Sequence, residues 1–186
     1  MERPASFHSL RGIETERTEH PTVALARQTL LHYLMHRELL DPPPDLPADM
    51  QRRAGVFVSL KKQGMLRGCI GTCVPTQANI AREIIHNTVS AATADPRFPV
   101  LMWEELEGLE ISVDVLTPPE RVANPEALDP TRYGVIVRTG ERVGVLLPDL
   151  PQVKTPSEQV LIARRKAGIA PDDAAEIYRF EVERYH

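Results

Sequence analysis

The stretch GVFVSLKKQGMLRGCIG (Gly55–Gly71) decides the fold, because two alternating segments flank a turn that contains glycine. Apolar side chains recur at every second position on both sides of that turn, which predicts a β-hairpin. A three-residue turn at 62–64, with glycine in the left-handed position, separates the apolar side chains from the polar ones. A two-residue turn at 63–64 would instead mix Arg67 and Cys69 among the valines, so we prefer the three-residue turn.

This register divides the hairpin into an apolar face and a more polar face. The apolar face carries Val56, Val58, Leu60, Leu66, Gly68 and Ile70. The other face carries Phe57, Ser59, Lys61, Met65, Arg67, Cys69 and Gly71. Because successive side chains of a strand point to opposite faces, Cys69 and Arg67 are expected to point together, away from the apolar face.

The sequence on either side of the hairpin alternates between helix and strand patterns without a regular strand–helix repeat. Helical spacing is present in 20–40, in 76–94 and in 157–168, and prolines or glycine end each of these segments. Alternating apolar residues predict a strand at 111–116, a second hairpin at 134–147 and a last strand at 178–184. Hairpins combined with helices in this order indicate an α+β fold rather than a doubly wound parallel sheet.

Composition and charge limit the classes of function. The chain has 186 residues, of which 42% are hydrophobic, and this length fits one domain over 21–186 preceded by a polar arm at 1–20. The arm lacks the apolar segment of a signal peptide, and a cytoplasmic location is expected. A net charge of −4 with scattered basic pairs makes RNA binding the least favoured role.

The two cysteines, Cys69 and Cys73, raise the question of metal, disulfide, nucleophile or packing. Only three residues separate them and no second cysteine pair exists, so the spacing does not favour a zinc site. On one extended strand they would lie about 13 Å apart, too far for a mutual disulfide. Cys69 therefore remains either a nucleophile or a small buried strand residue, and no metal or cofactor is predicted.

A nucleophilic Cys69 would need a neighbour that stabilises its thiolate. Arg67, two residues away on the same face, can supply positive charge. His86 on the following helix is a candidate base, although helical spacing does not direct it to Cys69 and a surface histidine is the alternative interpretation. The loop Asp95–Pro99, held by two prolines, is a second candidate, since it presents a carboxylate, a guanidinium and an aromatic ring. The alternative interpretation of this loop is that Asp95 ends the preceding helix and Phe98 packs in the core.

The motifs then show a resemblance to a known family. The segment LRGCIGT (Leu66–Thr72) is similar to the signature of the AMMECR domain family, whose microbial members are called AmmeMemoRadiSam system protein A. Further segments resemble that family in the same order from about residue 21 to residue 185: GVFVSLK (Gly55–Lys61), DPRFP (Asp95–Pro99), LEISVDVLT (Leu109–Thr117) and GVLLP (Gly144–Pro148).

The resemblance implies an α+β fold in which a mostly antiparallel sheet is flanked by helices and joined by a smaller second lobe. It also implies a site in a cleft at the LRGCIG segment, and an association with a Memo-like protein and a radical S-adenosylmethionine enzyme, but no settled reaction. The leading hypothesis is an enzyme or enzyme subunit that uses Cys69, and the alternative is a non-catalytic adaptor that uses the same groove. The expected site residues are Cys69 and His86 for catalysis, and Arg67, Gly68, Ile70, Gly71, Asp95, Arg97 and Phe98 for binding.

Overall fold

In the computed structural model, the described residues 19–186 form two four-stranded antiparallel sheets and four α-helices. The helices are α1 (Pro21–His36), α2 (Ala48–Gln51), α3 (Ile80–Thr93) and α4 (Pro156–Lys166). The strands are β1 (Val56–Lys62), β2 (Met65–Thr72), β3 (Leu109–Leu116), β4 (Glu120–Arg121), β5 (Gly134–Thr139), β6 (Arg142–Leu146), β7 (Glu176–Phe180) and β8 (Val182–Tyr185). Short 3₁₀ helices lie at Trp103–Glu105 and Pro125–Ala127. Within this part of the chain no helix is long and apolar enough to span a membrane.

The first sheet has the strand order β2-β1-β3-β8, and α1 and α3 pack on one of its faces. Every second residue of β1 contributes to this core, since Val56, Val58 and Leu60 are each 0% exposed. The helices supply an equally buried surface, which includes Leu30 of α1 and Ile84 of α3. The main core therefore lies between the helices and the apolar face, and the polar side chains of the sheet occupy its other face.

The β1–β2 hairpin closes through a tighter turn than the three-residue turn that we predicted. Lys62 pairs with Met65, so the turn contains only Gln63 and Gly64. Both turn residues have positive φ, 52° and 75°, which is typical of the two-residue turns that match the twist of paired strands. The three-residue prediction was therefore wrong.

A β-bulge nevertheless restores the predicted faces of the hairpin. The register shifts between Leu60 and Lys61, because Lys61 pairs with Leu66 while Leu60 pairs with Gly68. One extra residue of β2 is inserted there. Every later residue of β2 therefore points to the opposite face of the sheet from the one that a regular hairpin with this turn would give it. The assignment of Cys69 to the polar face is thereby confirmed, whereas Leu66, before the bulge, is 38% exposed rather than buried.

The second sheet has the order β4-β7-β5-β6 and packs against α4. The last strand predicted at 178–184 is in fact two strands that belong to different sheets, β7 and β8, with Glu181 between them. Thr117 fixes this crossing, because its N–H donates to Glu181 O at 3.0 Å and its hydroxyl accepts from Glu181 N–H at 2.8 Å. The carboxyl-terminal segment therefore joins the two lobes.

A small apolar cluster lies where the two lobes meet. Leu116, Ile136 and Phe180 are its buried members. Partly buried side chains pack around them: Phe57, Cys73, Val145, Leu147, Tyr178 and Val182. Since Phe57 belongs to the polar face of the first sheet, this cluster brings the second lobe to the border of that face.

The α+β class, with mostly antiparallel sheets flanked by helices and a second lobe, is confirmed. The helix predicted from Thr76 begins later, at Ile80, because Asn79 caps it by accepting from Arg82 N–H at 2.9 Å. The arm predicted at 1–20 lies outside the described residues except for its last two, and the single domain over 21–186 stays a prediction.

Candidate functional site

Three small polar side chains form a row across the polar face of the first sheet. Cys69 of β2 lies opposite Ser59 of β1, and Ser59 lies opposite Ser112 of β3. The Ser59 hydroxyl donates to Cys69 Sγ at 3.2 Å, and all three residues are half-buried. We call this row the trough, because its small side chains lie between rows of larger ones.

One border of the trough contains a buried carboxylate paired with an arginine. Asp114 lies opposite Phe57 in β1 and opposite Arg184 in β8. Arg184 donates through Nε and Nη2 to the two Asp114 oxygens at 2.7 and 3.0 Å. Hydrogen bonding to Asp114 raises the pKa of Arg184 despite partial burial, and the charges of Asp114, Asp149 and Cys69 act in the same direction. Asp114 therefore holds Arg184 at the side of the trough that lies away from β2.

The Asp95–Pro99 loop covers the outer edge of β2 at Cys69. Cys69 N–H donates to Asp95 Oδ2 at 2.9 Å, and Arg97 Nη2 donates to Cys69 O at 3.4 Å. Because β2 is an edge strand, these contacts satisfy the two backbone groups of Cys69 that point away from β1. The loop thus fixes the backbone that carries the thiol.

Asp95 and Arg97 also bind each other. Arg97 donates to Asp95 through Nε at 2.9 Å and through Nη2 at 2.7 Å. Hydrogen bonding to Arg97, assisted by the Cys69 and Arg97 amides, holds the pKa of Asp95 well below its usual range. Phe98, half-buried, lies beneath the Arg97 guanidinium at 5.4 Å from its ring centroid. The structure therefore brings Cys69, Asp95, Arg97 and Phe98 together.

Arg67 is committed to other partners. It donates through Nε and Nη2 to the Glu105 carboxylate at 2.7 and 2.9 Å, and through Nη1 to Pro99 O at 2.9 Å. Its side chain is only 13% exposed. Arg67 thus fixes the segment that follows the Asp95–Pro99 loop, and its three guanidinium nitrogens are all engaged.

The predicted binding residues Gly68, Ile70 and Gly71 have packing roles. A Cβ at Gly68 would lie 2.2 Å from the Ala91 carbonyl oxygen of α3, so glycine allows the strand and helix to approach closely. Ile70 packs against the main core. A Cβ at Gly71 would lie 2.2 Å from the Phe57 ring. Helix or ring atoms therefore occupy the space beside each glycine.

The structure does not bring His86 to Cys69. Gly68 faces α3, so the alternation of β2 directs Cys69 to the opposite face of the sheet. His86 lies in α3 and shares its outer surface with Arg82, four residues earlier, whereas Ile84 and Thr88 are fully buried. A role as base would require His86 to reach through the sheet.

The two cysteines have different surroundings. Cys73 packs in the cluster between the lobes, and burial raises the pKa of its thiol to about 11. Cys69 is absent from the hydrophobic clusters of the described residues, which does not support its alternative role as a small core residue. Across residues 19–186 no group of His, Cys, Asp and Glu side chains is arranged to hold a metal ion.

The trough is lined by half-buried side chains. Two cavities of about 450 and 330 Å³ lie elsewhere, the first between β4 and β7 and the second between α2 and β8. Four residues of the trough and its border were not predicted as site residues: Ser59, Ser112, Asp114 and Arg184. Alternation places Ser112 and Asp114 on the same face of β3. A charged aspartate within an otherwise apolar strand was the signal in the sequence that could have indicated this face as part of the site.

Comparisons with known proteins agree with this fold. A family model described as AMMECR1 matches residues 23–185. A protein of Thermotoga maritima is 49% identical over 170 residues, covering 90% of this chain and 98% of that protein. A protein of Clostridium acetobutylicum is 47% identical over 167 residues, which are 89% of this chain but 36% of that protein. The crystal structure of an uncharacterised protein from Pyrococcus horikoshii has a TM-score of 0.80 at 33% identity and covers 88% of each chain.

Proposed function

The chain belongs to the AMMECR1 family, and from that premise we propose that it is an enzyme, or an enzyme subunit, with a nucleophilic Cys69. In the proposed step the thiol proton passes to solvent and Sγ donates an electron pair to an electrophilic carbon of the substrate. A bond forms between sulfur and carbon, and the displaced group leaves with the electrons of its own bond. The contact that supports this proposal best is the Ser59 hydroxyl donating to Sγ at 3.2 Å.

Charge around the thiol supports the same proposal. A thiolate is stabilised by hydrogen-bond donors and by cations, and Cys69 has the Ser59 hydroxyl at its sulfur and the Arg97 guanidinium at its main-chain carbonyl. Neither Asp95 nor Asp114 is available as a base, because each already accepts two hydrogen bonds from the guanidinium of an arginine. The proposed reaction therefore relies on a stabilised thiolate and not on a histidine base.

Alkylation of the folded protein with iodoacetamide at pH 7.5 tests the proposal. Peptide mapping separates Cys69 from Cys73, whose raised pKa keeps it protonated and slow at this pH. We expect Cys69 to react about threefold faster than glutathione. A hydrogen bond of about 1.5 kcal/mol to the thiolate raises the thiolate fraction by up to about tenfold, while the lower basicity of that thiolate reduces its nucleophilicity by about threefold. The Ser59→Ala variant should lose most of this gain.

Ser157→Ala is the matched control, because Ser157 is exposed at the start of α4 in the other lobe. It should leave the Cys69 rate unchanged. A Cys69 that reacts at the rate of glutathione, or a Ser59→Ala variant as fast as the wild type, would contradict the nucleophile proposal.

A non-catalytic adaptor is the second candidate, and an exposed apolar segment beside the Asp95–Pro99 loop favours it. Val100, Met102 and Trp103 are 46, 54 and 49% exposed. The resemblance to the AmmeMemoRadiSam proteins suggests a Memo-like protein as the partner, in a modification pathway shared with a radical S-adenosylmethionine enzyme. Co-purification of the Memo-like protein that is lost in Trp103→Ala but retained in Cys69→Ser would favour the adaptor over the enzyme.

A further inference from the structure

Two arginines beside the trough share one construction, in which a buried aspartate holds a half-exposed guanidinium. The Asp95 side chain is 2% exposed and its partner Arg97 is 55% exposed. The Asp114 side chain is 6% exposed and its partner Arg184 is 41% exposed. In both pairs the aspartate accepts from Nε and Nη2, so the guanidinium is held in a fixed plane.

This bonding leaves the same nitrogen available in each pair. Among residues 19–186, Nη1 of Arg97 and Nη1 of Arg184 have no hydrogen-bond partner, whereas Nη1 of Arg67 donates to Pro99 O at 2.9 Å. An arginine that is held by a buried carboxylate loses little side-chain entropy when its free edge binds a ligand. Arg97 and Arg184 are therefore organised for binding, and Arg67 is not.

The two arginines are placed differently relative to Cys69. Arg97 contacts the Cys69 main chain directly, through Nη2 and the carbonyl oxygen at 3.4 Å. Arg184 is held over β3 by Asp114, and β1 separates β3 from β2. A ligand group bound to Arg97 would thus be nearer to the thiol than one bound to Arg184.

We propose that the substrate attacked by Cys69 carries a carboxylate or phosphate group, which binds the free edge of Arg97. This inference rests on the proposed function, because it specifies the substrate of the same thiol. Arg184 lies on the other side of the trough, farther from the thiol. Each arginine is already paired with an aspartate that neutralises its charge. The attraction between Arg97 and an anionic substrate group is therefore short-ranged, and it depends on direct hydrogen bonds rather than on long-range steering.

Two alkylating reagents of nearly equal size provide the test, because iodoacetate is anionic and iodoacetamide is neutral. With either reagent Sγ forms a bond to carbon while iodide leaves, so only the charged group differs. For Cys69 we expect the ratio of the iodoacetate rate to the iodoacetamide rate to exceed that of glutathione by about tenfold, as for one charge-assisted hydrogen bond. Arg97→Gln should return this ratio to the glutathione value, and Arg184→Gln should lower it less.

Arg132→Gln is the matched control, because Arg132 also pairs with a carboxylate, that of Glu181, yet is 62% exposed in the other lobe. It should keep the full ratio. If Arg97→Gln fails to fold, the ratio of the iodoacetate rate to the iodoacetamide rate in the wild-type protein still tests the proposal. Inorganic phosphate and acetate, added separately, should slow the iodoacetate reaction, and the stronger competitor identifies the preferred group.

The outcomes separate this inference from the function on which it rests. Fast alkylation by iodoacetamide with a ratio equal to that of glutathione would overturn the anionic substrate alone. Failure of both phosphate and acetate to compete would overturn it as well. An iodoacetamide rate no higher than that of glutathione would instead overturn the nucleophile itself.

Discussion

Replacing Asp95 with asparagine exchanges one of the two carboxylate oxygens that hold the Asp95–Pro99 loop and β2 together for an amide nitrogen. Asp95 accepts four hydrogen bonds: from Cys69 N–H at 2.9 Å, from Arg97 N–H at 3.1 Å, from Arg97 Nε at 2.9 Å and from Arg97 Nη2 at 2.7 Å. Asparagine has the same shape but only one acceptor oxygen, so two of the four bonds are lost in either orientation of the amide.

The expected loss of stability follows from the burial of the two partners. An unpaired Cys69 N–H or a lost bond to a charged group costs about 1–3 kcal/mol each. Arg97 is 55% exposed and regains water, which reduces its share of the loss. We therefore expect Asp95→Asn to lower the free energy of unfolding by about 2–3 kcal/mol, or the melting temperature by about 5–10 °C for a chain of this size.

The effect should also depend on pH in a defined direction. The native pKa of Asp95 is lowered, mainly by hydrogen bonding to Arg97, so below about pH 4 the unfolded chain binds a proton that the native protein does not. The contribution of the ionised Asp95 carboxylate to the free energy of unfolding is fully present above that pH. It is lost as the pH falls towards the native pKa, at up to about 1.4 kcal/mol per pH unit. Asparagine does not titrate, so the difference between wild type and variant should shrink below pH 4.

Urea denaturation of both proteins from pH 3 to pH 7 measures this difference. Glu107→Gln is the control, because Glu107 is exposed and makes no side-chain hydrogen bond within residues 19–186. It should change stability by less than about 0.5 kcal/mol. A loss in Asp95→Asn as small as that of the control, or one that stays constant down to pH 3, would refute the reasoning.

Three further substitutions test the packing and the caps that support the site. Gly68→Ala should lower the free energy of unfolding, measured by thermal denaturation, by about 1–3 kcal/mol or more, because the new Cβ would lie 2.2 Å from the Ala91 carbonyl oxygen. Gly64→Ala is the control: it has open space around it and should cost about 1 kcal/mol for its φ of +75°. Glu83→Gln should lower the free energy of unfolding by about 2–4 kcal/mol and speed amide hydrogen exchange in residues 72–79. The reason is that the Glu83 carboxylate is 1% exposed and accepts four hydrogen bonds from that segment. Unchanged exchange would contradict this prediction. Thr155→Ala should cost about 1 kcal/mol in urea denaturation, since Thr155 caps α4 by accepting from Glu158 N–H at 3.2 Å, and a neutral result would show that the cap is not needed.

Local pattern predicted those parts of the fold that depend on neighbouring residues. Alternation assigned Cys69 to the polar face, and Pro96 with Pro99 indicated the rigid loop that now covers the edge of β2. The two-residue turn was rejected because a hairpin register seen in isolation has no reason to include a bulge. The bulge becomes favourable only when α3 requires Gly68, and not Arg67, to face Ala91.

The parts of the site that the sequence did not predict depend on distant pairing. Asp114 and Arg184 are separated by 70 residues, and they meet because the last strand leaves one sheet and enters the other at Glu181. An alternating segment at 178–184 is equally consistent with one long strand. Only the pairing of Val182–Tyr185 with β3 brings Arg184 to the polar face, and no periodicity within the chain specifies that partner.

The fold also explains why the functional interpretation rests on the sulfur of Cys69. Other side chains of its strand have a structural explanation, since Arg67 binds Glu105, Ile70 fills the core and Thr72 donates to Glu83. Cys69 is anchored by its backbone, through Asp95 and Arg97, while its Sγ accepts from the Ser59 hydroxyl and packs in none of the described hydrophobic clusters. A backbone fixed on both sides and a thiol at a half-buried surface is the arrangement from which we propose chemistry at the sulfur of Cys69.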